Sequence, residues 1–148
     1  MSRKQTARAI AAAVHDRVNG QRQKRDRNTV TGSRRLAAAA EQYARTLARH
    51  REIGHHVGGT SPEERCTGFA GVRENIVRVS ARGRPDRVAR RAVEWWLGSP
   101  DHCDTLLQRD MSHDGVGVWL HHGDAYIVHE FAPAEQAVSG GLLGGLLQ

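Results

Sequence analysis

Apolar residues recur at helical spacing in three stretches of the chain. In the first stretch they fall on one face of an amphipathic helix, formed by Ala7, Ile10, Ala11, Val14 and Val18. We predict that this helix ends near Asn19-Gly20 and that the polar residues 20–33 form a loop. The same spacing predicts a second helix over residues 36–48 and a third over residues 88–97.

Two Ser-Pro pairs predict the starts of two short helices. Ser61-Pro62 supplies a capping hydroxyl and a proline at the first helical position, and Glu64 stands where a capping box requires it. Ser99-Pro100 repeats the arrangement. We therefore predict a second capped helical turn there, carrying His102.

The C-terminal third of the chain changes to a period of two. Apolar residues alternate along residues 116–120 and 125–131, and the turn residues 121–124 lie between them, so we predict a β-hairpin. Residues 74–80 are rich in β-prone side chains and predict a further strand. This order of helices, strand, helix and hairpin predicts an α+β domain. Residues 134–148 predict a low-complexity tail.

The excess positive charge is confined to the N-terminal part of the chain. The 148 residues carry a formal net charge of +6, from 22 Lys+Arg and 16 Asp+Glu. Residues 1–35 hold ten basic and two acidic residues, a net +8, whereas residues 36–148 hold 12 basic and 14 acidic residues, a net −2. The basic segment lacks interleaved aromatic residues that could stack on bases, so we expect no nucleic-acid binding.

Length and hydropathy favour one domain outside the membrane. A chain of 148 residues suits a single domain. No apolar run approaches the ~20 residues that a transmembrane helix needs. The apolar stretch Ala9–Val14 is too short for the core of a signal peptide, so we expect the chain, as written, to stay in the cytoplasm.

The rarer residue types are first interpreted as structural. Cys66 and Cys103 allow one disulfide at most, and without CxxC spacing we expect two buried free thiols. Trp95 and Trp96 are adjacent on a predicted helix and cannot both face the core. Trp96 continues the apolar stripe, so we expect it in the core and Trp95 over a neighbouring loop or groove.

Scattered His and Glu residues are the remaining candidates for chemistry, because GxSxG, P-loop, HExxH and GxGxxG motifs are absent. His55 and His56 stand in a glycine-flanked loop, Glu74 begins a predicted strand, and His102 follows a helix start. Two neutral imidazoles and a carboxylate can bind zinc with an open coordination position. By spacing alone, hydrogen-bonded polar groups are the simpler interpretation. His129 has no partner that the sequence suggests.

Six segments carry motifs that occur in the same order in one known family. They are Val18–Arg22, Leu36–Ala44, His55 with Thr60–Arg65, Glu74–Ile76, Ala92–His102 with Leu106-Leu107, and the pair Gly115–Val118 and Tyr126–Phe131. This ordered set resembles the SCP-like domain of the CAP superfamily, in its prokaryotic form. That superfamily contains cysteine-rich secretory, antigen 5 and pathogenesis-related proteins.

The resemblance implies a three-layer α-β-α sandwich with a small antiparallel sheet between helices. The domain would span residues 10–133, after a basic extension over residues 1–9 and before the tail at residues 134–148. The resemblance also implies a central cavity lined by His and Glu that can bind a divalent metal, often zinc. The implied cavity residues are His55, with His56 as the alternative in register, Glu74 and His102; His55 and His102 are the implied metal ligands.

The chain departs from the family motifs at two places near this cavity. Arg73 replaces the glycine that precedes Glu-Asn, which puts the tight approach at that turn in doubt. Ser99 stands where many eukaryotic members have a second cavity Glu. A cavity of two His, one Glu and Ser99 would bind metal more weakly, because one anionic oxygen is missing. The family's eukaryotic disulfides are absent as well.

We favour a binding module over an enzyme. Its cavity would hold a small molecule, lipid or peptide, together with a divalent metal such as zinc. The alternative is a metal-dependent hydrolase, in which His55 and His102 bind the metal and Glu74 acts as general base. No other catalytic residue is assigned. The family is mostly secreted, whereas this chain has no export signal that we can identify.

Overall fold

Residues 1–133, which the computed structural model describes, form five α-helices and four strands. The helices are α1 (Arg3–Lys24), α2 (Arg34–His50), α3 (Pro62–Arg65), α4 (Pro85–Leu97) and α5 (Pro100–Leu106), with a 3₁₀ turn at Val57–Gly59. The strands are β1 (Thr31–Gly32), β2 (Arg73–Ser80), β3 (His113–His121) and β4 (Asp124–Ala132). The three predicted major helices, the strand and the hairpin are all present.

The four strands form one sheet in the order β1-β3-β4-β2. β4 lies antiparallel to both β3 and β2, and its register places Glu130 opposite Glu74. The two-residue strand β1 pairs in parallel with the start of β3, where Thr31 lies opposite His113. The sheet is therefore mixed at this edge, because the connection from α1 to α2 runs beside the start of β3.

Helices cover both faces of the sheet, which confirms the α-β-α sandwich. α1 and α4 pack on one face, which we call the α1/α4 face, against side chains such as Val77 and Ile127. α2 packs on the other, the α2 face, against Ile76, Tyr126 and Val128. Successive residues of a strand point to opposite faces, so β4 is buried along nearly its whole length.

α2 lies directly on the backbone of β3. Gly115 and Gly117 face it, and a Cβ at either position would collide with the helix backbone at Ala37 or Glu41. This close approach explains why glycine alternates with valine along residues 115–118: the glycines lie on the face of β3 that α2 covers.

One prediction for the N-terminal region needs correction. α1 continues through Gly20 to Lys24, so only the later part of the predicted loop at residues 20–33 is non-helical. The extra turn is held by Arg22, whose buried guanidinium donates hydrogen bonds to the carbonyls of Asn28 (2.8 Å) and Leu106 (2.9 Å). α1 also begins at Arg3, within the predicted extension at residues 1–9.

The remaining predictions have mixed outcomes. Trp96 is fully buried and donates its indole N–H to the Ile76 carbonyl (3.1 Å), as expected for a core residue. Both cysteines are free, but only Cys66 is buried; Cys103 is partly exposed. The predicted tail at residues 134–148 lies outside the described residues. Among residues 1–133, no helix has the length and apolar character needed to span a membrane.

Candidate functional site

The loop that carries His55 is fixed to α2 by Tyr43. The Tyr43 hydroxyl donates to the carbonyl of Gly54 and accepts from the backbone N–H of Val57 (3.1 Å). The Arg65 guanidinium stacks on the Tyr43 ring, 3.3 Å from its centroid, and donates to the His55 carbonyl (3.1 Å). The backbone around His55 is therefore held on both sides, although its sequence predicts an irregular loop.

Glu74 binds His55 and Arg65 at the same time. One carboxylate oxygen lies 2.7 Å from Nδ1 of His55, and the other accepts a hydrogen bond from Arg65 at 2.6 Å. The Glu74 side chain is 1% exposed, whereas the His55 side chain is 48% exposed. Burial acts to raise the pKa of Glu74, but the interactions with His55, Glu130 and Arg65 outweigh it and lower the pKa. Glu74 is thus a paired carboxylate beneath a solvent-facing imidazole.

His102 is held by hydrogen bonds at its ring and at its carbonyl. Its Nδ1 is 2.8 Å from the hydroxyl oxygen of Ser99, and its carbonyl accepts from the side-chain amide of Asn75 (2.9 Å). The Trp95 ring meets the imidazole edge-on, with the ring centroids 5.0 Å apart. Burial, and then the electrostatic interaction with His55, lower the pKa of His102, so its neutral form is favoured near pH 7.

Of the five residues expected in the cavity, four form two hydrogen-bonded pairs: His55 with Glu74, and Ser99 with His102. The fifth, His56, is exposed, and its side chain makes no hydrogen bond within residues 1–133; its carbonyl accepts from the N–H of Gly59 (3.0 Å). Of the two alternatives in register, His55 contacts Glu74. A neighbouring pocket of about 350 Å³ is lined by Tyr43, Val57, Arg65 and others, but not by His55, Glu74 or His102.

Ser99 corrects one prediction about local structure. Ser61 caps α3 through a capping box with Glu64, as predicted. The Ser99 side chain, by contrast, makes no capping hydrogen bond to α5 and bonds to His102 instead. The Ser99 hydroxyl therefore holds the His102 ring instead of capping α5.

Glu130 is a part of this region that sequence reasoning missed. It lies opposite Glu74 on β4, is fully buried, and neither of its carboxyl oxygens has a hydrogen-bond partner within residues 1–133. Burial, reinforced by the adjacent Glu74 carboxylate, raises the pKa of Glu130 well above its usual value. The structure therefore favours a neutral Glu130 next to an ionised Glu74. The alternation along β4 gives no signal for it, because residues on both faces of this strand are buried.

A second buried ionisable cluster lies on the α1/α4 face. Asp114 of β3 is fully buried and contacts His15 of α1 at 2.8 Å and His129 of β4 at 2.7 Å. Burial acts to raise the pKa of Asp114, but the bonds from His129 and His15 lower it. The same contact with Asp114 raises the pKa of His15. His129 thus has the partner that the sequence did not suggest.

The geometry limits any metal site to few protein ligands. Within the described part of the chain, no group of three or more His, Cys, Asp or Glu is arranged to hold a metal ion. His55 and His102 are each bonded through Nδ1, which leaves the two Nε2 atoms as the nitrogen donors of the pair. The pair is solvent-accessible rather than enclosed in a deep cavity.

Comparison with known proteins identifies the family. The model of the cysteine-rich secretory protein family, CAP, matches residues 15–131. The chain belongs to this family. No curated protein matches it in sequence.

Solved structures of CAP-type proteins share its fold. An outer surface protein from Borrelia burgdorferi superposes with a TM-score of 0.73 at 23% identity, covering 91% of this chain and 97% of that one. An extracellular protein containing a SCP domain from Bacillus anthracis gives 0.71 at 20% identity, covering 89% of this chain but only 43% of its own. NaASP2, crystallised with Zn²⁺, gives 0.55 at 14% identity, covering 89% and 79%. At these identities the likeness concerns the fold alone.

Proposed function

We propose that this CAP domain is a binding module with an open, two-histidine site for a divalent cation, zinc in the first instance. The observation that carries the proposal is that His55 and His102 are both held by a hydrogen bond at Nδ1. Each ring is held through Nδ1, by Glu74 and Ser99 respectively, and each keeps Nε2 for a ligand. Metal-binding histidines are commonly fixed in this way by a carboxylate or another hydrogen-bonding group on the second nitrogen.

The donor set fits zinc better than calcium or magnesium. Imidazole nitrogens suit zinc, whereas calcium and magnesium require oxygen ligands. The lowered pKa of His102 also favours the neutral imidazole that a metal needs. Bound there, the cation would supply a Lewis-acid centre whose remaining positions accept water or a small anionic ligand. With two protein ligands the affinity would be modest.

We assign Glu74 an orienting role rather than that of general base. Both of its oxygens are engaged, by His55 and Arg65, and its pKa is lowered rather than raised towards neutrality. A general base needs a free oxygen within reach of the proton it removes and a pKa near the working pH. The arrangement therefore favours binding over the hydrolase alternative.

Zinc titration of the untagged full chain tests the proposal. We expect Zn²⁺ binding by calorimetry at neutral pH, and a loss of at least about tenfold in affinity for His55→Ala and for His102→Ala. His56→Ala is the matched control, because this neighbouring imidazole is exposed and outside the pair, and it should bind like the wild type. Absence of binding, or equal affinity in His102→Ala and His56→Ala, would overturn the proposal.

A further inference from the structure

Four segments of the chain meet at the end of the molecule that carries the turn between β3 and β4. α1 begins there, because Arg3 and Lys4 line a pocket with Leu120. α2 ends there, since Arg45, near its C-terminus, lies over the ring of Trp119. β2 ends there as well, because its last residue pairs with the first residue of β4. We call this region, residues 1–4, 41–53, 78–84 and 119–124, the hairpin end.

Most of the formal net charge of the chain lies at the hairpin end. Its 30 residues hold eight basic and three acidic residues, a net +5. The other 118 residues hold 14 basic and 13 acidic residues, a net +1. All eight basic side chains are exposed. The acids are Glu41, Glu52 and Asp124, and Asp124 is already paired with Arg78 (2.8 Å). The hairpin end therefore presents a surface of mostly unneutralised positive charge.

The turn itself shows that these charges converge from separate elements. The rings of His121 and His122 meet edge-on, with their centroids 4.1 Å apart. Desolvation, and then the electrostatic interactions with His122, Arg51, Arg3 and Arg78, lower the pKa of His121. Arg3 belongs to α1, Arg51 directly follows α2, and Arg78 belongs to β2. Positive charge from three elements thus acts on one point, and such a potential attracts an array of anions.

The hairpin end also offers apolar surface among these charges. A pocket of about 330 Å³ is lined by Trp119 and Leu120 of β3, and both side chains are partly exposed. The Arg45 guanidinium lies 5.0 Å from the centroid of the Trp119 ring. Arg3 and Lys4 line the same pocket. Tryptophan beside arginine and lysine suits the interface of a bilayer, where an apolar ring body and charged headgroups are both accommodated.

We propose that the hairpin end docks on the surface of a bilayer that contains anionic phospholipids. Its basic side chains contact headgroup phosphates, and Trp119 and Leu120 lie at the depth of the headgroups. The apolar pocket favours lipid over nucleic acid, which supplies phosphates but no acyl chains. Glu74 lies about 20 Å from the hairpin end along β2, so docking requires neither the histidine pair nor a metal.

Co-sedimentation of the untagged full chain with lipid vesicles in EDTA tests the charge. We expect binding to vesicles of mixed phosphatidylcholine and phosphatidylglycerol, weaker binding as salt rises, and no binding to pure phosphatidylcholine. Arg3→Glu with Lys4→Glu should weaken binding at least about tenfold. Acids in the first turn of a helix are compatible with the fold.

A matched control separates the position of the charge from its amount. Lys24→Glu with Arg109→Glu makes the same change in net charge at exposed positions outside the hairpin end, at the end of α1 and after α5. This variant should stay within about twofold of the wild type, because its charges lie beyond the Debye length from the surface. Equal losses in the two double variants, or no binding to anionic vesicles, would overturn the proposal.

Phosphatidylglycerol with brominated acyl chains tests the apolar contact, because bromine quenches a tryptophan that enters the bilayer. Trp95→Phe retains Trp119 and should be quenched on binding. Trp119→Phe retains the exposed Trp95, outside the hairpin end, and should not be. Trp96 is fully buried and is present in both variants. Equal quenching of the two variants would overturn the proposed orientation. Displacement from vesicles by duplex DNA at an equal phosphate concentration would overturn the assignment to lipid.

Discussion

The two faces of the sheet bury ionisable residues in opposite balance. On the α2 face, Glu74 and Glu130 lie opposite each other with Arg65 as the buried base. On the α1/α4 face, the single acid Asp114 contacts His15 and His129. Excess acid on the α2 face favours protonation of Glu130, whereas excess base on the α1/α4 face keeps Asp114 ionised. On the α2 face a proton neutralises the buried Glu130, whereas on the α1/α4 face histidine partners balance the charge of the buried Asp114.

The largest expected effect comes from removing the acid on the α1/α4 face. Asp114→Ala leaves the buried His129 ring without its partner and breaks the contact with His15. Leaving a buried polar group without its partner typically costs about 1–3 kcal/mol of unfolding free energy, and more where a charge is involved; here two partners are lost at once. Urea unfolding at neutral pH measures the loss. Asp124→Ala, which breaks an exposed pair with Arg78, is the control and should cost far less. Equal losses in the two variants would contradict the comparison.

The second largest effect is a change in the pH dependence of stability when Glu130, the neutral acid on the α2 face, is replaced. A buried acid with a raised pKa stabilises the fold fully below its ordinary pKa of 4.5, and this contribution is lost as pH rises through the folded-state value. Glu130→Gln keeps the shape and removes the titration. Between acid and mildly alkaline pH the variant should therefore gain stability relative to the wild type, by up to about 1.4 kcal/mol for each pH unit between the unfolded-state and folded-state pKa of Glu130.

Unfolding free energies of both proteins, measured across that pH range, give the result. A difference that stays constant with pH would show that Glu130 is not the neutral member of the pair. Glu74→Gln is the internal contrast: its pKa is lowered, so its contribution is present above pH 4.5 and lost as pH falls.

The smallest effect concerns His15, which is part-exposed. Its pKa is raised above 6.5 by Asp114, so its stabilising contribution is complete below pH 6.5 and declines as pH rises through the folded-state value. His15→Ala should cost about 0.5–1.5 kcal/mol below pH 6.5, the net value of one hydrogen bond, and less at alkaline pH. His56→Ala should change stability at neither pH. A cost for His15→Ala that grows with pH would reverse the proposed sign.

The elements were predictable because their signals are local. Helical stripes, a hairpin turn within residues 121–124 and the Ser61 capping box each depend on residues a few positions apart, and all three are present. Ser99 shows the limit of such reasoning. Its local pattern predicts a cap, but a neighbouring imidazole competes for the hydroxyl, and His102 binds it instead.

The contacts of the buried ionisable residues depend on how the strands pair, and the spacing of apolar residues along the sequence does not predict that pairing. β4 is covered on both faces, so the alternation of apolar and polar positions does not distinguish a buried Glu130 from an exposed one. The contacts of Glu130 with Glu74 and of His129 with Asp114 span separate strands. His55 and Glu74, by contrast, were found through motifs that resemble the CAP family, and the structure places them in contact.

The two glycines of β3 that lie under α2 also set the position of the histidine loop. Because Gly115 and Gly117 let α2 rest on the strand backbone, they fix the height of Tyr43 above the sheet. The Tyr43 hydroxyl in turn holds the chain at Gly54 and Val57, on either side of His55. The position of the His55 imidazole relative to Glu74 therefore depends on two glycines of β3, which lies on the other side of β4 from Glu74.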